Sequence, residues 1–411
     1  MQAAPARAVA WEVVPAGPVE DERRSWLTRN LLVLCGVSFL QDAASELLYP
    51  IMPIFLTSVL GAPASVVGAV EGLAEAVASI TKVVSGRLAD RFHRRPLVGA
   101  GYGLAAVGKL IIAVAFAWPV VLLGRAVDRV GKGIRGAPRD ALLVEDVPLE
   151  ARGRAFGLHR AADTMGAVVG PLIGLAGYEV LHHHLRPLLV IAVLPAIASV
   201  LLVGAVRERT SPPEVWRSPL GQGPSALRQN DRYRRAVLVV TAFSLVNFPD
   251  ALLLLRVRAL GFSVAGVILV YVVYNAAYAL GSYPAGVLAD RLAPPHVYAA
   301  GLVCFSVCYL GLGLVTNGNW AWPLFVVYGG YTAMTDGVGK AWVSRLVSGR
   351  DQARAQGLFQ GAIGGAVLVA GLWAGLLWHH TGRGPLIFSG IVALGVAAVL
   401  SRQPPAMAPT T

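Results

Sequence analysis

The chain has 411 residues, 55% of them hydrophobic and only 14% charged, where a soluble domain carries about a quarter charged residues. With a mean hydropathy of +0.61 this composition excludes a soluble protein and fits a polytopic membrane protein. The formal net charge of +12 does not point to nucleic acid, because the basic residues lie between apolar stretches and not in a patch with interleaved aromatics.

In chain order, residues 1–26 are polar and contain proline, with Arg23 and Arg24 just before Trp26. They read as a cytoplasmic tail and not as a cleaved signal peptide, since no short apolar run with a small-residue cleavage site precedes them. Apolar stretches of about 20 residues then follow one another, each long enough to cross a bilayer. They predict twelve spans, near 27–49, 64–88, 97–117, 119–143, 155–179, 186–206, 236–258, 263–289, 297–315, 321–345, 355–378 and 385–401. The expected fold is all-α, two six-helix bundles (27–206 and 236–401) related by a pseudo-two-fold axis, with a polar cytoplasmic linker at 207–235 and a tail at 402–411.

Arg91, Arg94, Arg95, Arg152, Arg154, Arg350, Arg354 and the linker arginines fall in loops on one side, while the turns near 57–65, 117–119 and 316–321 carry no lysine or arginine. The positive-inside rule therefore places both termini in the cytoplasm and the chain in the cell membrane, in contact with lipid. Cys35, Cys304 and Cys308 give no disulfide framework and read as packing residues.

The sequence repeats itself. Gly86-Arg87-Leu88-Ala89-Asp90-Arg91 returns as Gly286-Val287-Leu288-Ala289-Asp290-Arg291. Ala117-Trp118-Pro119 returns as Ala321-Trp322-Pro323, Asp128 to Lys132 as Asp336 to Lys340, and Arg154 to Leu158 as Arg354 to Leu358. Four pairs in the same order argue for duplicated six-helix units.

Ionisable groups inside spans are expensive and mark function. On the fourth span Arg125, Asp128, Arg129 and Lys132 stand at i, i+3, i+4 and i+7, one face of a helix that cannot meet lipid. Arg135, Arg139 and Asp140 continue the charge toward one end and serve equally well as bridges between helices. Asp42 and Glu46 share a face of the first span. Two like charges so close favour a proton on one of them, which makes them, with Glu75 of the second span, the candidates for proton coupling; a salt bridge to a fourth-span arginine is the alternative, and the two roles can alternate within one cycle. Glu71 lies nearer the outer end, where solvation explains it. In the second half Asn247, Asp250, the stripe Tyr271, Tyr274, Asn275 and Tyr278, and the pair Asp336 and Lys340 are cavity candidates, with packing an equal reading for the aromatic stripe.

Other patterns carry less. Gly131-Lys132-Gly133 lacks the spacing of a phosphate-binding loop, and His182-His183-His184 reads as a solvated turn and not a metal site. No metal and no cofactor are expected. Pro171 and Pro249 are expected kinks within spans five and seven.

The stretch from Gly86 to Arg95, with Gly86, Asp90, Arg91, Arg94 and Arg95, resembles the loop between the second and third helices of the major facilitator superfamily, although His93 stands where that family has its second glycine. Asp128 to Asp140, and Asp42 with Ser45, Glu46, Tyr49 and Pro50, resemble one bacterial branch of it. Gly166, Gly170, Pro171 and Gly174 are similar to the core of a motif of the family's antiporters, without its more N-terminal glycine. The resemblance implies alternating access, with Asp90, Arg91, Gly286, Asp290 and Arg291 in a cytoplasmic gate whose first copy keeps its basic end and whose second ends in Pro294 and Pro295.

The expected function is secondary active transport, not enzymatic catalysis. It is read as proton-coupled export of a small organic compound by a monomer, with an anionic group expected on the substrate from the cationic fourth span. Proton-symport uptake of an anionic nutrient uses the same residues in reverse. A non-transporting sensor or scaffold needs no buried charge and is the weakest alternative.

Overall fold

The computed structural model describes residues 26–89, 93–147, 152–208, 230–347, 352–379 and 381–402. Among the described residues twelve helical units cross the molecule and no strand forms. Helix α1 is Arg29–Leu48, capped by the Thr28 hydroxyl accepting from the Leu31 N–H and prolonged by the turns Met52–Ile54 and Phe55–Val59. Then come α2 (Ala64–Ala89), α3 (Arg94–Ala113), α4 (Trp118–Val144), α5 (Arg152–Val180) and α6, made of Leu185–Ile191 and Val193–Val203. The second half holds α7 (Asp231–Ser244 and Asp250–Ala259), α8 (Val264–Arg291), α9 (Pro294–Leu314), α10 (Ala321–Arg345), α11 (Gln352–Leu376) and α12 (Arg383–Ser401).

Eight of these units are long and apolar enough to cross a membrane: α1, α2, α3, α6, α8, α9, α11 and α12. The other four are broken or too polar along their length to face lipid on all sides, so their polar faces must turn toward protein or a cavity. The expected kink at Pro249 is a full break. Helix α7 stops at Ser244 and restarts at Asp250, with Pro249 as the cap residue, because proline has no N–H to continue the ladder. Pro50 interrupts α1 in the same way. Pro171, by contrast, sits inside an unbroken α5, as Pro138 does in α4 and Pro284 in α8.

The duplication is visible in the backbone. Gly61 and Gly261, 200 residues apart, both take positive φ (66° and 96°) in the turns after α1 and α7. His182 and Gly382 repeat this after α5 and α11, with φ of 52° and 66°. Packing gives the same spacing: Gly101 of α3 lies against Gly131 and Arg135 of α4, and Gly301 of α9 against Tyr331 and Thr335 of α10. One sequence match is thereby corrected. Asp128 to Lys132 and Asp336 to Lys340 look alike but stand about two helical turns out of register. The true counterparts of Arg125, Asp128 and Lys132 are Phe325, Tyr328 and Thr332. The four-residue shift in the Ala-Trp-Pro match is taken up by a short 3-10 turn, Gly318–Trp320, before α10.

Small residues set the seams. A Cβ on Gly166 would lie 2.6 Å from the Phe39 carbonyl oxygen, and one on Gly170 2.4 Å from that of Ala43, while Gly174 packs on Leu47. The α5 motif is thus a close-approach stripe against α1. The two halves meet most closely along α2 and α11: a Cβ on Gly68 would lie 2.1 Å from the Gly371 carbonyl oxygen, Gly72 abuts Leu368, and Gly375 abuts Ser65. This seam closes the end of the molecule where α2 begins, opposite the chain termini.

Candidate functional site

The α4 row does not act as one surface. Arg125 turns into α2 and pairs with Glu71, both almost completely buried, with its guanidinium 5.9 Å from the Tyr49 ring centroid. Glu71 is therefore not solvated, as its position near the helix end suggested; it is the counter-charge of Arg125. Asp128 turns into α3 and pairs with Lys109 at 2.8 Å, their side chains 5% and 2% exposed. Arg135 lies over the Tyr102 ring at 4.4 Å. Arg125 and Asp128 are thus structural ion-pair members and not wall residues of the cavity, since a buried charge without its partner is far costlier than the pair. Arg129 and Lys132 are the cations that bear most on Glu75, and Lys132 bears on Asp42 as well. The Arg129 Nε is buried without a hydrogen-bond partner.

On α1, Glu46 accepts a hydrogen bond of 2.5 Å from the Tyr271 hydroxyl of α8, a contact from one half to the other. The Tyr49 and Tyr271 rings stack beside it, centroids 5.3 Å apart. Asp42, one turn below, sits among Asp163 of α5 and Lys132, Arg135 and Arg139 of α4. Ser38 continues this row, with its hydroxyl 2.7 Å from His159 Nε2 and 3.3 Å from the Tyr102 hydroxyl. His159 Nδ1 is 3.7 Å from Asp163, and Arg139 pairs with its neighbour Asp140.

The opposite wall is aromatic. A cavity of about 280 Å³ lies against α7, α8, α10 and α11 and brings Glu75, Asn247, Asp250, Tyr274, Asp336 and Lys340 to one space. Tyr328 donates to Asp250 at 2.5 Å, Asn247 donates to the Tyr331 hydroxyl at 2.9 Å, and Tyr274 and Thr332 hydroxyls are 3.3 Å apart. Asn275 is not part of it: its amide donates to the Tyr271 carbonyl of its own helix at 3.0 Å and is buried there.

Near the terminal side Arg160 of α5 reaches across to α8 and α10. It donates to the Tyr278 hydroxyl at 2.8 Å and stands 3.5 Å from Asp336, which also holds Lys340 at 2.7 Å.

Of the expected gate residues, Arg94 and Arg95 serve their own half. Their backbone N–H groups at the start of α3 donate to Glu208 at 2.7 and 3.1 Å, and the Arg95 guanidinium donates to the Gly204 carbonyl, tying α3 to the end of α6. Gly286 is exposed with open space around it, so it makes no close helix approach, and Arg291 is exposed. Asp90 and Arg91, the surroundings of Gly86 and the side chain of Asp290 lie outside the described residues.

Sequence reasoning passed over Lys109, His159, Arg160 and Asp163. The available signal was an isolated ionisable residue within an otherwise apolar span, which implies a buried partner.

The family model of the major facilitator superfamily matches residues 34–257 and 251–411. An uncharacterized MFS-type transporter of Methanocaldococcus jannaschii is 30% identical over 385 residues, 91% of this chain and 94% of that protein. The multidrug resistance protein MdtH of Yersinia enterocolitica is 28% identical over 295 residues, 71% of this chain and 70% of that protein. Among solved structures, the nucleoside transporter NupG superposes with a TM-score of 0.76 at 14% identity, over 91% of this chain and 98% of NupG. An inward-facing bacterial homolog of the human lysosomal transporter Spinster gives 0.74 at 16% identity, over 92% and 98%. These two structures carry the fold alone. Twelve helices among the described residues, in two duplicated sets, polar groups gathered between them and a family match over nearly the whole length lead to one conclusion: the chain belongs to the major facilitator superfamily and is a multi-pass membrane transporter of small molecules, not an enzyme.

Proposed function

We propose that the protein is a proton-coupled exporter of a small organic compound, working as a monomer by alternating access, with both termini in the cytoplasm of a cell whose inner membrane it spans. The observation that carries this reading is the Glu46–Tyr271 hydrogen bond between the halves. A carboxylate accepts from a phenol; a protonated carboxyl also offers a proton of its own, so the charge on Glu46 bears directly on an inter-half contact. Coupling needs such a link, because an ion shifts a conformational equilibrium only by its differential interaction with the two states. The glycine seam of α2 and α11 supports closure on the outer side, while on the inner side the halves are bridged only through the exposed Arg160 and its partners Tyr278 and Asp336 among the described contacts named above. The likeness to a multidrug resistance protein supports export of drug-like compounds over nutrient uptake.

The test is substrate-induced proton movement in proteoliposomes with an imposed pH gradient and an internal pH dye, across a panel of drug-like amines and acids. At least one compound dissipates the gradient through wild type, and Glu46→Gln loses this coupling while still moving the compound downhill. Coupling unchanged in Glu46→Gln removes Glu46 from the mechanism. Accumulation of the compound in intact cells, instead of its exclusion, overturns export.

A further inference from the structure

We infer that a groove on the lipid-facing side of the α2–α11 seam binds one acyl chain of a phospholipid, which lies against both halves of the molecule at once. The inference rests on the reading above only for calling that leaflet the outer one and for what a bound chain does to the transport cycle.

The groove has a volume of about 470 Å³, against about 280 Å³ for the cavity beside Asp250, and is walled by α2, α4 and α11. The seam itself creates it. Gly68 and Gly371 bring two backbones so close that the larger side chains beside the crossing splay apart. Ala69 and Leu73 of α2, Leu122 of α4, and Leu368 and Leu372 of α11 line the space left between them. Leu372 and Leu376 on one wall are exposed, as is Leu123 next to the other, so the groove opens sideways to the bilayer.

Its length follows from the helices. From Ser65 to Leu73, and again from Leu368 to Leu376, the chain rises about 12 Å. The hydrocarbon of one leaflet is about 15 Å deep, half of a core of about 30 Å. The groove therefore runs through most of a single leaflet, parallel to the helices. Ser65 near the start of α2 and Trp118 at the start of α4 mark its headgroup end, the level at which an indole ring is stable.

The lining selects the occupant. Below Ser65 and Trp118 the described lining residues carry no polar side chain. Such a space does not hold water, and left unfilled it forfeits the dispersion contacts of every side chain along it. A drug-like compound there would bury its polar groups without partners. An acyl chain has no polar group below its ester carbonyl, and at that level the Ser65 hydroxyl and the Trp118 indole N–H offer donors. Because α2 and α4 belong to one half and α11 to the other, the chain touches both walls only while the seam is closed. A bound chain thus favours the state closed on the outer side. At the position of α8 equivalent to Ala69 stands Leu269, which supplies the bulk that the groove lacks.

The probe is a phosphatidylcholine with a diazirine midway along one acyl chain, in nanodiscs of phosphatidylethanolamine and phosphatidylglycerol. Light crosslinks it to the full chain, and mass spectrometry locates the label. Labelling at Leu73, Leu122 and Leu368 is expected to exceed that at Leu201 of α6 and Ile391 of α12 several-fold, although those two are exposed and the groove residues half-buried. Ala69→Leu fills the groove and brings its labelling down to the level of Leu201 and Ile391, where labelling stays as in wild type and reports an intact fold. Gly371→Leu forces α2 and α11 apart and removes the excess from both walls. Wild-type labelling in the groove no higher than at Leu201 and Ile391 overturns the inference without recourse to any variant. An excess that persists in Ala69→Leu overturns it too, and one that persists in Gly371→Leu overturns the contact with both halves. The assay needs neither substrate nor protons: uniform labelling leaves the export reading standing, and failure of that reading leaves the labelled groove in place.

Discussion

The two halves share a backbone and differ in what they place at the same positions. Where α4 carries Arg125, Asp128 and Lys132, α10 carries Phe325, Tyr328 and Thr332; where α2 carries Glu71 and Glu75, α8 carries Tyr271 and Asn275; where α5 carries His159, α11 carries Phe359. One half is held together by buried ion pairs, Arg125 with Glu71 and Lys109 with Asp128. The other is held by aromatic contacts, such as Phe305 on Tyr309 at 3.8 Å and Phe243 edge-on to Phe305 at 4.9 Å. Duplication fixed the scaffold, and divergence separated a polar wall from an aromatic one. The consequence is that the buried acids Glu71 and Asp128 of the first half are met by cations, whereas Asp250 of the second is met by the Tyr328 hydroxyl.

This contrast can be broken most sharply at Lys109. Lys109→Met leaves Asp128 buried without a counter-charge and is expected to cost about 3–5 kcal/mol of stability, while the double variant Lys109→Met with Asp128→Leu recovers most of it. Unfolding in detergent measures both, and an undisturbed single variant contradicts the account of that pair. A smaller effect belongs to the seams. Gly170→Ala forces a Cβ to within 2.4 Å of the Ala43 carbonyl and is expected to cost about 1–3 kcal/mol, whereas its counterpart Ala370 already holds a Cβ in the second half. Equal tolerance of Gly170→Ala and Ala370→Gly in thermal denaturation would remove the difference between the seams.

Below that, Tyr331→Phe deletes the hydroxyl that receives Asn247 and is expected to lower stability by about 1–3 kcal/mol at most, with a weaker effect on the first half. The smallest change is expected from Arg160→Ala. The Arg160 side chain is 60% exposed, so its pairing with Asp336 contributes under about 1 kcal/mol and weakens further with salt. Its readout is the balance of conformations: a cysteine pair placed across α5 and α8 crosslinks less readily in the variant.

Much of the fold was legible because lipid demands long apolar helices, and their lengths and edges follow from where the apolar runs stop. The break at Pro249 was less visible, since proline within a span marks a kink as often as a stop, and only the surrounding packing decides. The match of Asp128 to Asp336 misled because a short motif can recur one or two turns away on the same helix and still look aligned; contacts of Gly101 and Gly301 fix the register. Side-chain direction was the other hidden quantity. Helical spacing put Arg125, Asp128 and Lys132 near one face, but the first two lean into α2 and α3, where Glu71 and Lys109 wait. Those partners lie 54 and 19 residues away, beyond what spacing on one helix can reveal.

The most direct test of the whole account is substrate-driven proton movement in proteoliposomes, followed with an internal pH dye as drug-like compounds are added. The account predicts that at least one compound moves protons through the wild type, and that Glu46→Gln abolishes this while still passing the compound downhill. Movement of the compound through the wild type with no movement of protons would contradict it.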